Sequence, residues 1–427
     1  MKSLPSFVMV FTSRKMLVLM LLGLSSGLPF YLTSQTLQAW MTVEKVDLGA
    51  IGLFSLVALP YSLKFLWSPL VDRYIPPVFA NFLGRRRSWL ALTQLGLTLA
   101  IAAMFFQQPT QALQALAINA IVIAFFSATQ DIVADAYRSD VLDDREMGAG
   151  VALFVLGYRI GLILAGSVAF IIADRLSWPI AYLGMAAIMA LNMGITLFAP
   201  EPDQDLETPH TLLDAVWRPF QDFVERSGWL KAIVILVFII FYRYGDALLN
   251  NMATPFLLQT GFSQTDLGTI KGGMGLIATI VGTLLGGSVL SQIGISRSLW
   301  IFGGLQALSN LFYLILANLG ANYTFMILTI NVENFCTGLG TAGFIAFLMS
   351  LCNPKFSATQ YALLSSLMAV SRDILVAPAG ALAKATGWPV FFLITLIAAL
   401  PGLFLLPWFA PWTDDPAMPR PGTEELP

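Results

Sequence analysis

The sequence is nearly empty of the side chains that metal proteins and many enzymes rely on. Its 427 residues contain one histidine, His210, and two cysteines, Cys336 and Cys352. The cysteines stand sixteen positions apart in one apolar stretch. On a helix rising 1.5 Å per residue that is about 24 Å, too far for a disulfide. With one histidine elsewhere, they make no metal site, and both read as ordinary buried helix cysteines. Charge is scarce as well. Only 11% of residues are charged, against about 25% in a soluble domain. The net charge of −2 says little by itself, and no nucleic-acid partner and no cofactor are expected.

Apolar residues fill the space, at 57% of the chain and a mean hydropathy of +0.75. Apolar runs long enough to cross about 30 Å of hydrocarbon recur throughout. Barrel strands would alternate in short segments of about ten residues, so a β-barrel is excluded. The chain therefore reads as an all-α polytopic membrane protein. Twelve transmembrane helices are expected, near 14–40, 49–71, 88–107, 112–137, 147–173, 178–199, 229–258, 264–290, 297–318, 322–350, 357–383 and 388–410. Lys2, Arg14 and Lys15 precede the first run, which reads as an uncleaved helix rather than a removed signal peptide.

The longest polar stretch, 200–228, separates six spans from six. Pro200, Glu201, Pro202 and Asp203 stop the sixth helix, and Thr211–Arg226 reads either as a surface amphipathic helix or as a solvated linker. This divides the chain into a six-helix bundle over 1–199, a linker over 200–228, a second bundle over 229–412 and a disordered tail over 413–427. Of the 23 lysines and arginines, fifteen fall in loops on the side of both termini, three in the opposite loops and five within spans. Positive residues remain on the cytoplasmic side, so both ends are expected inside.

Charges also sit inside the apolar runs: Lys64, Asp131, Arg159, Arg243, Asp246, Lys271, Glu333, Arg372 and Asp373. One charge at the centre of a bilayer helix costs about 2.5–3.5 kcal/mol. Nine facing lipid would cost about 25 kcal/mol, more than the stability of a typical domain. They must face one another or a wet cavity, and intramembrane charges of this kind mark transport pathways.

Asp131 and Asp135 share one face of the fourth span. Asp135 lies close to Arg138 and to Arg85–Arg87, and pairing there is its expected role. Asp131 is deeper, with no cation in its own segment. A carboxyl whose surroundings alternate between apolar and cationic also alternates in proton affinity, so Asp131 reads as a proton carrier or as half of a fixed ion pair. Glu333 is a second carrier candidate, with pairing to Lys271 as its alternative. Asp246 follows Arg243 by nearly one turn, so a local ion pair is its first reading and proton coupling its second. Asp373 neighbours Arg372, but adjacent helix residues point about 100° apart and need not bond.

The buried cations suit an acidic ligand. The arginine fork matches a carboxylate through two parallel hydrogen bonds. Arg159, Arg243 and Arg372 all fall near mid-span, and an offset of about 213 residues superposes Arg159 on Arg372. Lys271 and Lys64 are further basic candidates. Gln35, Gln38, Trp40, Tyr158, Asn250 and Asn251 can serve sugar hydroxyls and ring faces, or simply pack the bundle. Glycines at Gly272, Gly273, Gly275, Gly286, Gly287, Gly338, Gly340 and Gly343 read as close helix contacts, not as a phosphate loop.

Six spans, a long connection and six more spans resemble the major facilitator superfamily. The segment from Ser68 through Asp72-Arg73 to Gly84-Arg85-Arg86-Arg87 is similar to that superfamily's loop motif G-x-x-x-D-R-x-G-R-R, with Ser68 for the first glycine and ten residues inserted. The resemblance implies a latch of Asp72, Arg73, Arg85, Arg86 and Asp135; plain positive-inside anchoring by Arg85–Arg87 is the alternative. The second half has an echo in Gly287, Ser291, Gln292, Gly294 and Arg297 that lacks the acidic group.

A closer resemblance runs through GLPFYLTSQTLQAWMTVE (27–44), KFLWSPLVDRY (64–74), SATQDIVADAYRSDVL (127–142), GAGVALFVLGYRIG (148–161), YRYGDA (242–247), ENFCTGLGTAGFIAFLMSLCN (333–353) and FSATQYALLSSL (356–367). These segments resemble the AmpG-type muropeptide permeases. That implies a proton-driven importer of N-acetylglucosaminyl-1,6-anhydro-N-acetylmuramyl peptides in the inner membrane of Gram-negative bacteria, monomeric, serving cell-wall recycling and the induction of β-lactamase. A carrier of another anionic metabolite, such as an acyl-coenzyme A, is the alternative. A membrane-embedded transferase would gather catalytic residues at one face, whereas these charges spread over both halves.

Overall fold

Backbone amides in hydrocarbon have no water to bond, so each apolar run must satisfy them internally, as a helix does. The computed structural model describes residues 13–74, 76, 83–142, 146–197, 199–201, 221–226, 228–352 and 357–408. Among the described residues there is no strand. The proposed latch side chains of Asp72 and Arg73, most of 200–228 and the tail from 413 lie outside what is described.

The helices begin with α1 (Arg14–Leu32), whose first turn is capped by the Ser13 hydroxyl accepting from the Met16 amide. Pro29 cannot donate within α1, and the chain breaks at Thr33–Ser34 before α2 (Gln35–Val43). The expected span 49–71 is a succession of short pieces, not one helix: α3 (Leu48–Leu53), α4 (Leu59–Leu63) and α5 (Ser68–Arg73), linked by tight turns. Proline stands in the first turn of both α4 and α5, where its missing N–H is tolerated but ends the preceding helix. Next come α6 (Arg85–Ala103), α7 (Leu113–Val141) and α8 (Met147–Ile163), then a π turn over Leu164–Val168, α9 (Ala169–Arg175) and α10 (Trp178–Thr196).

The later helices are α11 (Trp229–Phe241), α12 (Tyr244–Thr260), α13 (Gly275–Leu319), α14 (Tyr323–Leu351), α15 (Ser357–Val370), α16 (Ala379–Thr386) and α17 (Trp388–Leu405). Two more π turns, Leu267–Met274 and Ser371–Leu375, precede α13 and α16. Helix α13 is interrupted at Gly294, whose φ of 79° is open to glycine and strained for other residues. That glycine divides one apolar run into the two expected spans.

Eight described stretches are long and apolar enough to cross a bilayer, and the one from Gln264 to Leu319 has 56 residues, interrupted at Gly294. A pair bent by 42° (Leu363–Leu375 with Ala379–Thr386) makes a ninth if it is one span, and Leu48–Leu63 and Trp178–Gly194 are shorter apolar helices. Each of the twelve expected spans thus has a helical counterpart.

The helices form two compact units. The first comprises Met1–Asp47, Phe54–His210 and Ser263–Gly272; the second comprises Leu48–Leu53, Thr211–Phe262 and Gly273–Pro427. Met16, Leu19, Leu22, Leu90, Val133 and Tyr137 belong to a core of the first unit. Phe238, Tyr242, Leu299, Phe344 and Phe347 belong to one of the second. In the first unit α1 and α8 touch backbone to backbone. A Cβ on Gly157 or Gly161 would strike the α1 backbone at Met20 or Leu24, and one on Gly23 or Gly27 would strike α8 at Phe154 or Tyr158. Both pairs are spaced G-x-x-x-G, the small-residue pattern that lets membrane helices approach closely. Gly282, Gly286 and Gly338 do the same between α13 and α14.

Gly157→Leu is therefore expected to destabilise the protein by about 1–3 kcal/mol or more through overpacking. Gly184→Ala, where nothing lies within 4 Å, serves as the neutral control. Thermal unfolding of the solubilised protein reads both.

Candidate functional site

Each unit carries acidic groups within its apolar runs. In the first, Asp131 lies on α7, half-buried. It forms no ion pair within 4 Å among the described residues. The charged groups in electrostatic range are Lys64, from the tight turn between α4 and α5, and Asp135. The Ser26 hydroxyl of α1 faces the same carboxyl. Around it lies a polar lining that the sequence reading did not single out. Tyr61, Ser127 and Ser26 are hydroxyl residues with buried, unpartnered oxygens, and Tyr61 stands in range of Asp131, Ser127 and Tyr158. Gln130 donates to Ser25 Oγ at 2.9 Å and Gln94 reaches the same oxygen at 3.5 Å. The signal was present as hydroxyls and amides recurring within apolar runs.

Arg159 is half-buried on α8, one turn before the π turn over Leu164–Val168. Tyr158 beside it is also half-buried, and Gln35 opens α2 half-buried. Gln38 and Trp40 are buried. Trp40 packs on Tyr182 with ring centroids 5.3 Å apart, so it serves the core instead of offering a ring face to a sugar. Lys271 lies in the π turn Leu267–Met274, half-buried.

The second unit is richer. Arg243 sits at the break between α11 and α12, with φ −113° and ψ 12°. Irregular backbone at membrane depth is tolerated where it is buried in protein or lines a cavity. Its guanidinium lies 3.8 Å from Asp246, the expected near-turn pair, and donates to Thr341 Oγ1 at 2.9 Å. Asp246 is 5% exposed and Glu333 is 2% exposed. Glu333 accepts three hydrogen bonds, each of 3.0 Å: from Asn250 and Thr337 at Oε1 and from Asn334 at Oε2. Helix α13 faces this group with Gln306, Asn310 and Tyr313, spaced four and three residues apart on one side. Gln306 Nε2 donates to Thr337 Oγ1 at 3.1 Å, and the Gln306 amide faces Asp246. Gln306 Oε1, Asp246 Oδ1, both polar atoms of the Asn310 amide and the Tyr313 hydroxyl are buried without a partner. This stripe is uncharged, so its only mark in the sequence is an amide or hydroxyl recurring every three to four residues along an apolar span.

Arg372 and Asp373 depart from the sequence reading. They form a bidentate pair, Nε to Oδ1 at 2.6 Å and Nη2 to Oδ2 at 3.0 Å, with Asp373 2% exposed. The residues lie in the π turn Ser371–Leu375, which is wider than an α-turn, and the long arginine folds back across it. Two of its donor groups are thereby committed within the chain.

At the loop motif, Asp135 pairs with Arg138 at 3.1 Å, as the sequence suggested, while Arg138 also lies over the Phe154 ring. Further groups meet the arginine cluster. Arg86 pairs with Asp140 at 2.8 Å, both nearly buried, and Glu201 accepts from the Arg86 and Arg87 amides at the start of α6. A carboxylate on exposed N-terminal amides is favoured by the helix dipole. Arg87 also donates to the Leu197 carbonyl.

Residues 6–372 match the profile of the Major Facilitator Superfamily. Anhydromuropeptide permease of Escherichia coli (strain K12) is 47% identical over 403 residues, covering 94% of this chain and 80% of that protein. An uncharacterised protein of Haemophilus influenzae is 38% identical over 411 residues, covering 94% and 96%. Among solved structures, the nucleoside transporter NupG aligns with a TM-score of 0.70 at 17% identity, covering 92% of this chain and 98% of that one. The peptide transporter POT bound to alafosfalin aligns at 0.67 and 14%, covering 97% and 100%. At these identities the structures speak to the fold.

Removing one side of the Arg86–Asp140 pair leaves an uncompensated buried charge. Arg86→Ala is expected to cost about 3–5 kcal/mol, and the double variant Arg86→Met/Asp140→Leu to recover most of it. Unfolding of the single and double variants measures both.

Proposed function

The chain belongs to the Major Facilitator Superfamily and is a membrane transporter, and from that premise we propose that it imports anhydro-muropeptides, driven by protons, across the inner membrane of a Gram-negative bacterium. The observation that carries the substrate is the 47% identity, along 94% of the chain, to a protein named anhydromuropeptide permease. The chemistry of the chain agrees with that cargo. Anhydro-muropeptides carry peptide carboxylates, and Arg159 and Arg243 supply half-buried guanidinium groups suited to them. Lys64, Lys271 and Arg372 are secondary basic groups; Arg372 enters only if its pair with Asp373 opens. Gln35, Gln38, Tyr158 and Asn250 are the proposed polar contacts to sugar and peptide. The protein works as a monomer with both termini cytoplasmic, and its product feeds cell-wall recycling and the signal that induces β-lactamase.

Coupling needs a carboxyl that takes a proton on one side and releases it on the other. Asp131 is the proposed carrier of the first unit, because Lys64 is its sole cationic neighbour among the described residues and no ion pair fixes it. Glu333 and Asp246 are the proposed carriers of the second. A proton moving inward through 100 mV gains about 2.3 kcal/mol, enough for roughly fifty-fold accumulation of a neutral solute. Anionic cargo moves against the potential and needs at least one further proton per charge. In the proposed cycle, outward-open arginines bind the carboxylate, a carboxyl takes the proton, and both leave to the cytoplasm.

Two outcomes follow. A fluorescent protein fused to the C-terminus is expected to fluoresce and a phosphatase fused there to be inactive; the reverse pattern overturns the orientation. Asp131→Asn is expected to abolish accumulation in vesicles while substrate counterflow continues. Accumulation with a normal response to external pH would remove Asp131 from the coupling step.

A further inference from the structure

Four arginine–aspartate pairs among the described residues close to hydrogen-bond distance. Arg86–Asp140, Arg138–Asp135, Arg226–Asp222 and Arg372–Asp373 stand at 2.8, 3.1, 2.9 and 2.6 Å. Arg243 and Asp246 do not close: their nearest approach, Nε to Oδ2, is 3.8 Å. Reach does not explain the gap, because Arg138 closes on Asp135 across the same three-residue spacing. Exposure does not explain it either. Asp246 is buried, and a lower local dielectric strengthens the attraction between opposite charges. Another contact must hold the guanidinium off.

That contact is Thr341, on α14 of the same unit. Its hydroxyl donates its single hydrogen to the Thr337 carbonyl, one turn earlier, at 2.7 Å. The oxygen is left purely as an acceptor, and Arg243 Nη1 donates to it at 2.9 Å. The guanidinium is thereby drawn to a different helix from the one that carries Asp246. Arg243 keeps most of its donors. Of its five N–H hydrogens Thr341 takes one, and Nε stands beyond hydrogen-bond distance of Asp246. Both hydrogens of Nη2 have no acceptor among the described residues.

We propose that Thr341 is a positioning residue that keeps Arg243 from closing on Asp246, so that the guanidinium stays open to a carboxylate of the cargo. Arg372 shows the alternative: its Nε and Nη2 both lie on Asp373, and that edge of the fork is spent. An arginine that closes on its neighbour most of the time binds a ligand only in the remaining fraction, and the apparent affinity falls in proportion. The consequence for cargo rests on the import reading, whereas the separation of the pair does not.

Two measurements on the full-length protein test it. The first is the structure of Thr341→Val, whose side chain keeps its shape and loses its oxygen. Arg243 Nε is expected to close on Asp246 to about 2.8 Å; a pair still open at 3.8 Å overturns the proposal. Thr341→Ala gives the same reading if the valine variant does not fold. The second is equilibrium binding of anhydro-disaccharide peptide. Thr341→Val is expected to raise Kd about tenfold, as when about nine in ten guanidinium groups have closed, and Thr341→Ser, which keeps the acceptor, to restore it. In an Asp246→Asn background there is no carboxylate to close on, so adding Thr341→Val is expected to change Kd by less than about twofold. An equal loss in both backgrounds overturns the proposal, because a threonine that only packs, or that touches the cargo itself, costs the same with or without the Asp246 charge. Wild-type protein that does not bind the peptide removes the import reading, and the structure of the variant still decides the pair.

Discussion

A charge or an unpaired polar atom held away from water must find a partner within the protein, and this one constraint organises the interior of the chain. Arg86 finds Asp140, Arg372 finds Asp373, and Glu333 gathers donors from Asn250, Asn334 and Thr337. Where pairing is complete the group is structural. Where it is less complete, as at Asp131 and Asp246, the group is one proposed above to change its protonation. The separation between scaffold and machinery is thus a matter of how fully each buried charge is neutralised.

The same constraint shapes the backbone. Membrane helices gain nothing from irregularity, since every broken turn frees amides and carbonyls. Yet this chain breaks or widens its helices at four of its five intramembrane cations. Lys64 begins a tight turn, Arg243 occupies a helix break, and Lys271 and Arg372 stand in π turns. Such local widenings recur at functional sites in other proteins because they re-aim side chains without ending the helix. Glycine offsets the disorder elsewhere: α1 against α8 and α13 against α14 meet through residues too small to keep them apart.

The spans were legible because an apolar run in hydrocarbon has little choice but to be helical. The second span was legible in extent but not in form, since the prolines at its turns interrupt what composition presents as one helix. Pairs one helical turn apart, such as Arg243–Asp246 and Asp135–Arg138, followed from spacing. Pairs that depend on how helices pack did not. Nothing local joins Arg86 to Asp140, Glu201 to the start of α6, or Gln306 to Thr337. Arg372–Asp373 was hidden by the assumption of α-helical geometry, which the π turn relaxes. Trp40 stood out by residue type alone, and its packing on Tyr182 gives it a core role.

The central claim is that proton entry drives inward movement of an acidic sugar–peptide through this chain. Uptake of radiolabelled anhydro-disaccharide peptide into reconstituted vesicles, under an imposed inward proton gradient with and without an uncoupler, tests it most directly. The account predicts accumulation above the external concentration that collapses when the uncoupler is added. Uptake that stops at equilibration, or accumulation indifferent to the uncoupler, would contradict it.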